Sequence, residues 1–172
     1  MLEHPSLRLR QWSKSADTEG EPTWLRLIAD ADGRRLGAVR LRGVPASSWF
    51  FWLRSARLDV VETDDDSELM QMRQSWSLFN VWELSDAEDM HVGSVYARTL
   101  ISSLGDCLAY VQRGERGDVR IVDPTGIEIA VIRACESDSV ELTFHGAQTA
   151  NPFLRMMLLA CAIAMNPSPD SM

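Results

Sequence analysis

Apolar and polar residues alternate with a period of two in short segments along most of the chain. Eleven segments follow this pattern: Leu7–Trp12, Trp24–Ile28, Leu36–Leu41, Leu58–Val61, Leu69–Met72, Leu78–Leu84, Val92–Tyr96, Cys107–Val111, Val119–Val122, Ile127–Ile132 and Val140–Phe144. The aromatic segment Ser48–Leu53 is a candidate for a twelfth. Alternation of this kind, with turn residues at close spacing, is typical of antiparallel strands that bury one face. We therefore predict an all-β barrel or sandwich.

One short pattern recurs within this series. It consists of an apolar residue, an Asp-rich turn, and a strand that opens with Leu, Ile or Val followed by a small residue. The copies are Ile28–Val39, Ile121–Ile132, Leu84–Val95, which lacks the turn glycine, and the weaker Val61–Met72. Asp30 and Asp123 can accept hydrogen bonds from turn amides, and Gly33 and Gly126 can adopt positive φ. Recurring hairpins favour a sheet that closes on itself and so leaves no exposed edge.

The segment 153–165 departs from this pattern because it is apolar on every helical face. Asn151 is a good N-cap, Pro152 suits the first helical position, and Asn166-Pro167 ends the helix. Its 13 residues are fewer than the roughly 20 that a bilayer span needs. A helix without a polar face must be surrounded by protein, and we place six residues in the core: Phe153, Leu154, Met157, Leu158, Leu159 and Ile163. Arg155, in the first turn, is expected to reach solvent at the barrel mouth.

These two features together predict the fold. Barrels of more than about eight strands leave a lumen, and about twelve strands leave room for one helix. We therefore predict one domain over residues 1–172. It comprises a closed antiparallel barrel of about twelve strands over about 6–145, a central helix over about 152–165, and a tail over 166–172.

Composition and charge limit the function classes. The formal net charge of −8 argues against a general nucleic-acid binder. The first ten residues lack the pattern of a secretory signal. The cysteines Cys107, Cys135 and Cys161 are too far apart to suggest a disulfide framework or a zinc site. We expect a cytoplasmic protein, peripheral to a membrane at most, with no transmembrane span.

The hairpins that carry Asp-x-x-Gly and end in Leu-Gly-x-Val, followed by the terminal helix Asn151-Pro-Phe-Leu-Arg-Met-Met-Leu-Leu-Ala-Cys-Ala-Ile-Ala-Met165, resemble the tubby C-terminal-like superfamily. The phospholipid scramblase and LURP-one-related branches are the most similar in style, and the resemblance covers Leu7 to Met165. It implies a twelve-stranded antiparallel barrel around a buried C-terminal helix.

The resemblance also implies functional expectations. Tubby domains bind phosphoinositide headgroups at a basic surface site, and scramblase-like members are linked to lipid movement. Some scramblase-like members bind calcium through an acidic segment before the final helix. The corresponding segment here, Thr143–Ala150, contains no carboxylate, which argues against calcium binding there.

Charge is distributed unevenly along the chain. Residues 1–57 hold ten cationic and six acidic side chains, whereas the remainder is strongly acidic. The candidate site for an anionic ligand is an arginine surface formed by Arg34, Arg35, Arg40, Arg42, Arg54 and Arg57, since arginine suits phosphate geometry. The alternative is that these residues are the ordinary solvated face of outer strand positions.

The remaining acidic, histidine and aromatic features of the sequence are better explained as structural than as functional. The acidic run Asp64–Glu68 lacks the ligand order of a calcium loop, and His4, His91 and His145 lie far apart. The aromatic run Trp49–Trp52 is either packed or a docking patch.

No nucleophile, base and orienting group can be named, so we predict a non-enzyme without metal or cofactor. The predicted function is a binding module for phosphoinositide or another anionic phospholipid, or for a membrane-associated protein. The alternatives are a scramblase-like lipid-translocating protein and a protein-interaction scaffold without a lipid ligand.

Overall fold

The structure of the protein is a computed structural model, which describes residues 1–11, 23–42, 57–63, 66–74, 81–96, 98–114, 117–135 and 139–165. Several predicted features lie outside these ranges. They are the candidate strand Ser48–Leu53 with its aromatic run, the site residue Arg54, the carboxylates Asp64 and Asp65, and the tail 166–172.

Across the described residues, twelve antiparallel strands form one closed barrel in sequential order, which confirms the predicted fold. The strands are β1 Ser6–Gln11, β2 Thr23–Ala29, β3 Arg35–Arg42, β4 Arg57–Glu62, β5 Glu68–Gln74, β6 Trp82–Asp86, β7 His91–Tyr96, β8 Thr99–Ser102, β9 Cys107–Arg113, β10 Val119–Val122, β11 Glu128–Cys135 and β12 Ser139–Phe144. The first and last strands close the ring, with Leu7 opposite Leu142 and Leu9 opposite Val140. Closure leaves no strand edge unpaired.

The described barrel includes one strand that the sequence pattern did not predict. It is β8, which pairs with β7 and β9. The sequence analysis missed it because it has only four residues and its turn begins with Ser102 rather than aspartate. The Ser102 hydroxyl nevertheless accepts hydrogen bonds from the Leu104 and Asp106 amides at 3.2 and 3.1 Å. The β8–β9 hairpin is therefore another copy of the repeat.

The turn aspartates act as the repeat predicts. The Oδ1 atoms of Asp30, Asp86 and Asp123 each accept a hydrogen bond from the amide four residues later, at 2.8, 2.8 and 2.9 Å. The residue three positions after the aspartate has positive φ in each turn, including the turn without glycine, where Asp89 has φ of 61°. Aspartate tolerates this conformation better than most residues. The repeat copy Leu84–Val95 therefore forms the same turn although it has no glycine there.

Each of these hairpins also contains a register shift at the same place in the repeat. The shifts fall at Ile28/Ala29, Val60/Val61, Leu84/Ser85, Leu100/Ile101 and Ile121/Val122. A β-bulge bends a strand and increases its local twist. Five bulges at one level of the barrel therefore distribute the curvature that closure requires.

The helix α1, Pro152–Met165, has the predicted bounds and enters the barrel at the end where the five hairpins lie. Asn151 caps it, since its Oδ1 accepts a hydrogen bond from the Phe153 amide at 2.9 Å. A short 3₁₀ helix, Ala147–Ala150, precedes it. Eight consecutive residues of α1, 156–163, are buried. The predicted core positions Met157, Leu158, Leu159 and Ile163 are among them.

Phe153 was predicted as a core residue, and that prediction is wrong. Its side chain is 54% exposed, and Leu154 is only partly buried. The reason is the depth of insertion: the first turn of α1 stands at the mouth of the barrel, and the strands surround the helix only from Met156 onward. Apolar periodicity alone does not show where a surrounding wall begins.

The prediction for Arg155 is also corrected. Its guanidinium does not extend into solvent but donates hydrogen bonds to the main-chain carbonyls of Leu2, His4 and Thr149. It also lies 4.8 Å from the centroid of the Phe144 ring. Arg155 thus connects the N-terminal segment, the end of β12 and the 3₁₀ helix to α1.

A glycine on β7 allows close contact between the wall and α1. A Cβ atom on Gly93 would lie 2.3 Å from the Ile101 carbonyl oxygen and 3.1 Å from the Met157 side chain. The repeat places a small residue here because the bulged hairpin brings the neighbouring backbone closer than a side chain permits.

We expect Gly93→Ala to destabilise the protein by about 1–3 kcal/mol, because an overpacked core must shift backbone as well as side chains. Urea unfolding followed by tryptophan fluorescence measures the change. Gly126→Ala provides a comparison: it strains a positive φ but has no atom near its Cβ position. A Gly93→Ala variant as stable as the natural protein would contradict the close approach of β7 to β8 and α1.

Within the described ranges, no helix combines the length and the apolar character that crossing a bilayer requires.

Candidate functional site

Two rows of side chains run across the outer face of strands β3 to β6. The strand register places one row in the order Arg40, Asp59, Gln71 and Ser85. The adjacent row contains Arg42, Arg57, Arg73 and Glu83. We call Arg40, Arg42, Arg57 and Arg73 the arginine cluster. Like charges directly opposite each other on neighbouring strands are destabilising. The three arginines of the second row therefore need carboxylates nearby to balance their charge.

Asp59 supplies part of that charge from beneath the cluster. Its side chain is fully buried, and its Oδ2 atom lies 3.0 Å from Arg40 Nε and 3.1 Å from Arg42 Nε. Arg57 Nε lies 3.7 Å from its other oxygen. One carboxylate thus serves three guanidinium groups. Glu68 also lies 3.9 Å from Arg40 Nη2. Arg42 and Arg57 share the remaining carboxylate, so positive charge is concentrated on the Arg42, Arg57 and Arg73 side of this face.

A groove of about 520 Å³ lies over the second row. Its lining comprises Arg42, Arg57, Gln71, Arg73, Glu83, Ser85, Asp89 and His91. The Arg57 guanidinium donates a hydrogen bond to the Gln71 side-chain oxygen, which orients it along the groove. Arg73 is exposed, and no other described residue forms an ion pair or hydrogen bond with its guanidinium.

The two sides of the groove differ in chemistry. Arginines occupy the side formed by β3, β4 and β5, whereas Glu83 and Ser85 lie on β6 and Asp89 and His91 follow on the next hairpin. The arginine side can bind an anionic oxygen group through forked N–H donors. The carboxylate side can accept hydrogen bonds from hydroxyl groups. The groove therefore suits a compact ligand that carries both phosphate and hydroxyl groups.

The structure brings together three of the six arginines that the sequence indicated: Arg40, Arg42 and Arg57. Arg34 and Arg35 lie at the β2–β3 hairpin, about five residues along the strand from Arg40, which corresponds to roughly 17 Å. The Arg34 amide donates to Asp30, so this part of the chain serves the turn. A single surface of all six arginines is therefore not present.

Other members of the site could not be selected from sequence. Asp59, Gln71 and Arg73 each sit at the outward position of an alternating strand, which is where any polar residue belongs. The register among β3, β4 and β5 makes them neighbours of the predicted arginines, and register follows from the whole barrel. The one available signal was alternation itself, which places Arg73 on the same face of β5 as Gln71.

His145 and Cys161 have the surroundings of structural residues. His145 Nδ1 lies 3.8 Å from Glu128. Burial raises the pKa of the Cys161 thiol to about 12, so at neutral pH this residue is a protonated core side chain. Among the described residues, no group of three His, Cys, Asp or Glu side chains is arranged to hold a metal ion.

The class of protein that the architecture defines is a closed twelve-stranded antiparallel barrel with a buried C-terminal helix. No protein-family model and no curated protein matches the chain. The chain is similar in structure to the Arabidopsis thaliana protein AT5G01750, for which an X-ray structure is known. The TM-score is 0.53 at 11% sequence identity, and the alignment covers 92% of this chain and 91% of the other. At this identity the likeness concerns the fold.

Proposed function

We propose that the protein is a non-catalytic binding module that takes an anionic phospholipid headgroup in the groove on strands β3 to β6. The observation that carries the proposal is the row of Arg42, Arg57 and Arg73 on three neighbouring strands, in which Arg42 and Arg57 share the buried carboxylate of Asp59. Such a row retains positive charge that a phosphate can balance. The sequence resemblance to the tubby C-terminal-like superfamily agrees with this proposal.

The mixed chemistry of the groove narrows the ligand class. Glu83 and Asp89 would repel a purely anionic surface at that side, but they accept hydrogen bonds from sugar or inositol hydroxyls. A phosphorylated polyol headgroup satisfies both sides, whereas an anionic lipid whose headgroup has neither hydroxyl nor ammonium groups, such as phosphatidic acid, uses only the arginines. We therefore propose a preference for phosphoinositides over other anionic lipids of equal charge.

Vesicle co-sedimentation tests this proposal. Phosphatidylcholine vesicles containing a phosphoinositide are expected to bind the protein. The double variant R57Q/R73Q is expected to bind at least about thirtyfold more weakly, since each of the two lost charge-assisted contacts contributes about 1 kcal/mol or more. The matched control is R8Q/R120Q. It removes the same charge from arginines that pair with Glu141 and Glu128 on other parts of the wall.

A soluble inositol phosphate separates the headgroup from the membrane. If it competes with vesicles for the protein, the headgroup itself is the ligand. Equal loss of binding in R57Q/R73Q and R8Q/R120Q would show that only general charge is involved, and unchanged binding by R57Q/R73Q would show that these arginines do not contact the lipid. Either result would overturn the proposed site. Absence of vesicle binding at low ionic strength, where electrostatic attraction is least screened, would overturn the lipid function.

A further inference from the structure

The mouth of the barrel beside α1 contains a second cavity, of about 680 Å³. It lies between the hairpins β6–β7, β8–β9 and β10–β11 and the first turn of α1. Its apolar lining includes Val92, Leu108, Leu154 and Met157. The cavity exists because the helix fills the lumen only below its first turn. The cavity volume is in the usual range for ligand sites.

Exposed apolar side chains surround this cavity. Of the six large hydrophobic residues that are exposed in the described chain, four lie on these hairpins or on the first turn of α1: Met90, Leu104, Ile127 and Phe153. Leu104 is 87% exposed and Met90 66%. Single exposed apolar residues are normal, but a cluster around a cavity marks an interaction site. A small molecule inside the cavity would leave Leu104 and Ile127 uncovered, so the site fits a larger occupant.

Charge identifies the occupant. The three hairpins carry five carboxylates, Asp86, Glu88, Asp89, Asp106 and Asp123, and over 86–91, 102–107 and 122–127 they have neither lysine nor arginine. Glu88, Asp89 and Asp106 are exposed. This rim repels an anionic membrane and also repels an identical rim on a second copy of the chain. It attracts a cationic segment that presents apolar side chains.

We propose that the barrel mouth is a docking site for a basic amphipathic helix of a partner protein. One apolar side chain of the helix enters the cavity above Leu154 and Met157, and neighbouring apolar side chains cover Leu104 and Phe153. Lysine or arginine residues on its flanks meet the carboxylates of the three hairpins. This is recognition of a helix in an apolar groove, with charge setting the choice of partner. The site adjoins the arginine groove, which Asp89 also lines and with which it shares His91, but it does not depend on the proposed lipid function.

A synthetic helical peptide of about 15 residues, with leucine on one face and lysine on the other, is a suitable probe. Fluorescence anisotropy is expected to show saturable binding that weakens with added salt. The same peptide with glutamate in place of lysine is expected not to bind. Leu104→Ser should weaken binding about tenfold, as loss of an apolar anchor does. Glu88→Gln combined with Asp106→Asn should weaken it further at low salt, since both carboxylates are exposed and neither lines the arginine groove.

Matched control variants distinguish binding of the peptide at the barrel mouth from general attraction of a cationic peptide to an acidic protein. Tyr110→Ser removes an exposed apolar side chain from the barrel wall, and Asp32→Asn removes an exposed charge at the same barrel end on the distant β2–β3 hairpin. Neither should change the dissociation constant. Leu104 is so exposed that Leu104→Ser is expected to fold normally, which an unchanged melting temperature would verify.

Three outcomes would overturn the proposal. They are no saturable binding of the lysine peptide at low salt, equal binding of the glutamate peptide, and equal loss of binding in the mouth and control variants. If Leu104→Ser instead abolished binding to neutral vesicles, or abolished a dimer seen by analytical ultracentrifugation, the mouth would serve a membrane or a second copy, and the peptide proposal would be wrong.

Discussion

Leu159→Ala is expected to lower the free energy of unfolding by about 2–5 kcal/mol, because it removes three carbon atoms and leaves a cavity in the interior of a barrel. Leu159 is fully buried in the middle of α1, and its neighbours Leu158 and Ala160 are fully buried as well. The strands are hydrogen-bonded around the entire ring, so the wall cannot readily collapse into the space. Urea unfolding followed by tryptophan fluorescence and by circular dichroism measures the loss.

The same helix provides a control for this prediction. Phe153→Ala removes a larger side chain from the exposed first turn and is expected to cost less than Leu159→Ala. A loss of less than about 0.5 kcal/mol for Leu159→Ala would mean that α1 is not the core. Both probes should give one coincident transition, since barrel and helix share one apolar core.

Arg155→Met is expected to destabilise the protein by about 3 kcal/mol. Methionine keeps much of the apolar stem but leaves the carbonyl oxygens of Leu2, His4 and Thr149 without their donor. Hydrogen bonds from charged groups contribute about 1.5–3 kcal/mol each, and unsatisfied carbonyls that stay partly hydrated moderate the total. The contact with the Phe144 ring is also lost.

The measurement is again chemical denaturation, with hydrogen exchange at the N-terminal segment as a second readout. Arg120→Met is the control, since its exposed guanidinium pairs with Glu128 only at 3.7 Å and surface ion pairs contribute at most about 1 kcal/mol. Faster exchange in residues 1–5 of Arg155→Met, without faster exchange in β6–β7, would show that the arginine connects the N-terminal segment to α1. Equal stability of the two variants would contradict that role.

The two surfaces place opposite charges on adjacent parts of one barrel. The arginine cluster faces outward from β3 to β5, and the carboxylate rim surrounds the mouth beside β6 to β11. His91 lines both cavities. The proposed headgroup and helix approach from different sides of the β6–β7 hairpin. R57Q/R73Q and Leu104→Ser each change side chains of one site only, so they test the two sites separately.

Local patterns predicted most of the fold because the barrel is built from repeated local units. The turn at Asp123 shows this: Asp-Pro-Thr-Gly supplies both the side-chain acceptor and the positive φ that a tight turn needs. The position of α1 was equally predictable, since Asn151 caps a segment that has no polar face. Strand β8 was missed because four residues and a serine turn give too short a signal. The depth of insertion of α1, which exposes Phe153 and buries the guanidinium of Arg155 against carbonyls, has no local signature.

Sequence alone determined the hairpin repeat and the capped apolar helix, because each depends on residues within one turn, one strand or one helix. The apolar helix in turn required a closed wall around it. Tertiary structure alone decided which outward side chains meet. Arg42, Arg57 and Arg73 are at most 31 positions apart in the chain, yet they form one row only because strand register sets them opposite each other. The barrel mouth arises in the same way, since three hairpins from separate parts of the chain enclose it. Register and closure are properties of the complete barrel, and they therefore decide both proposed sites.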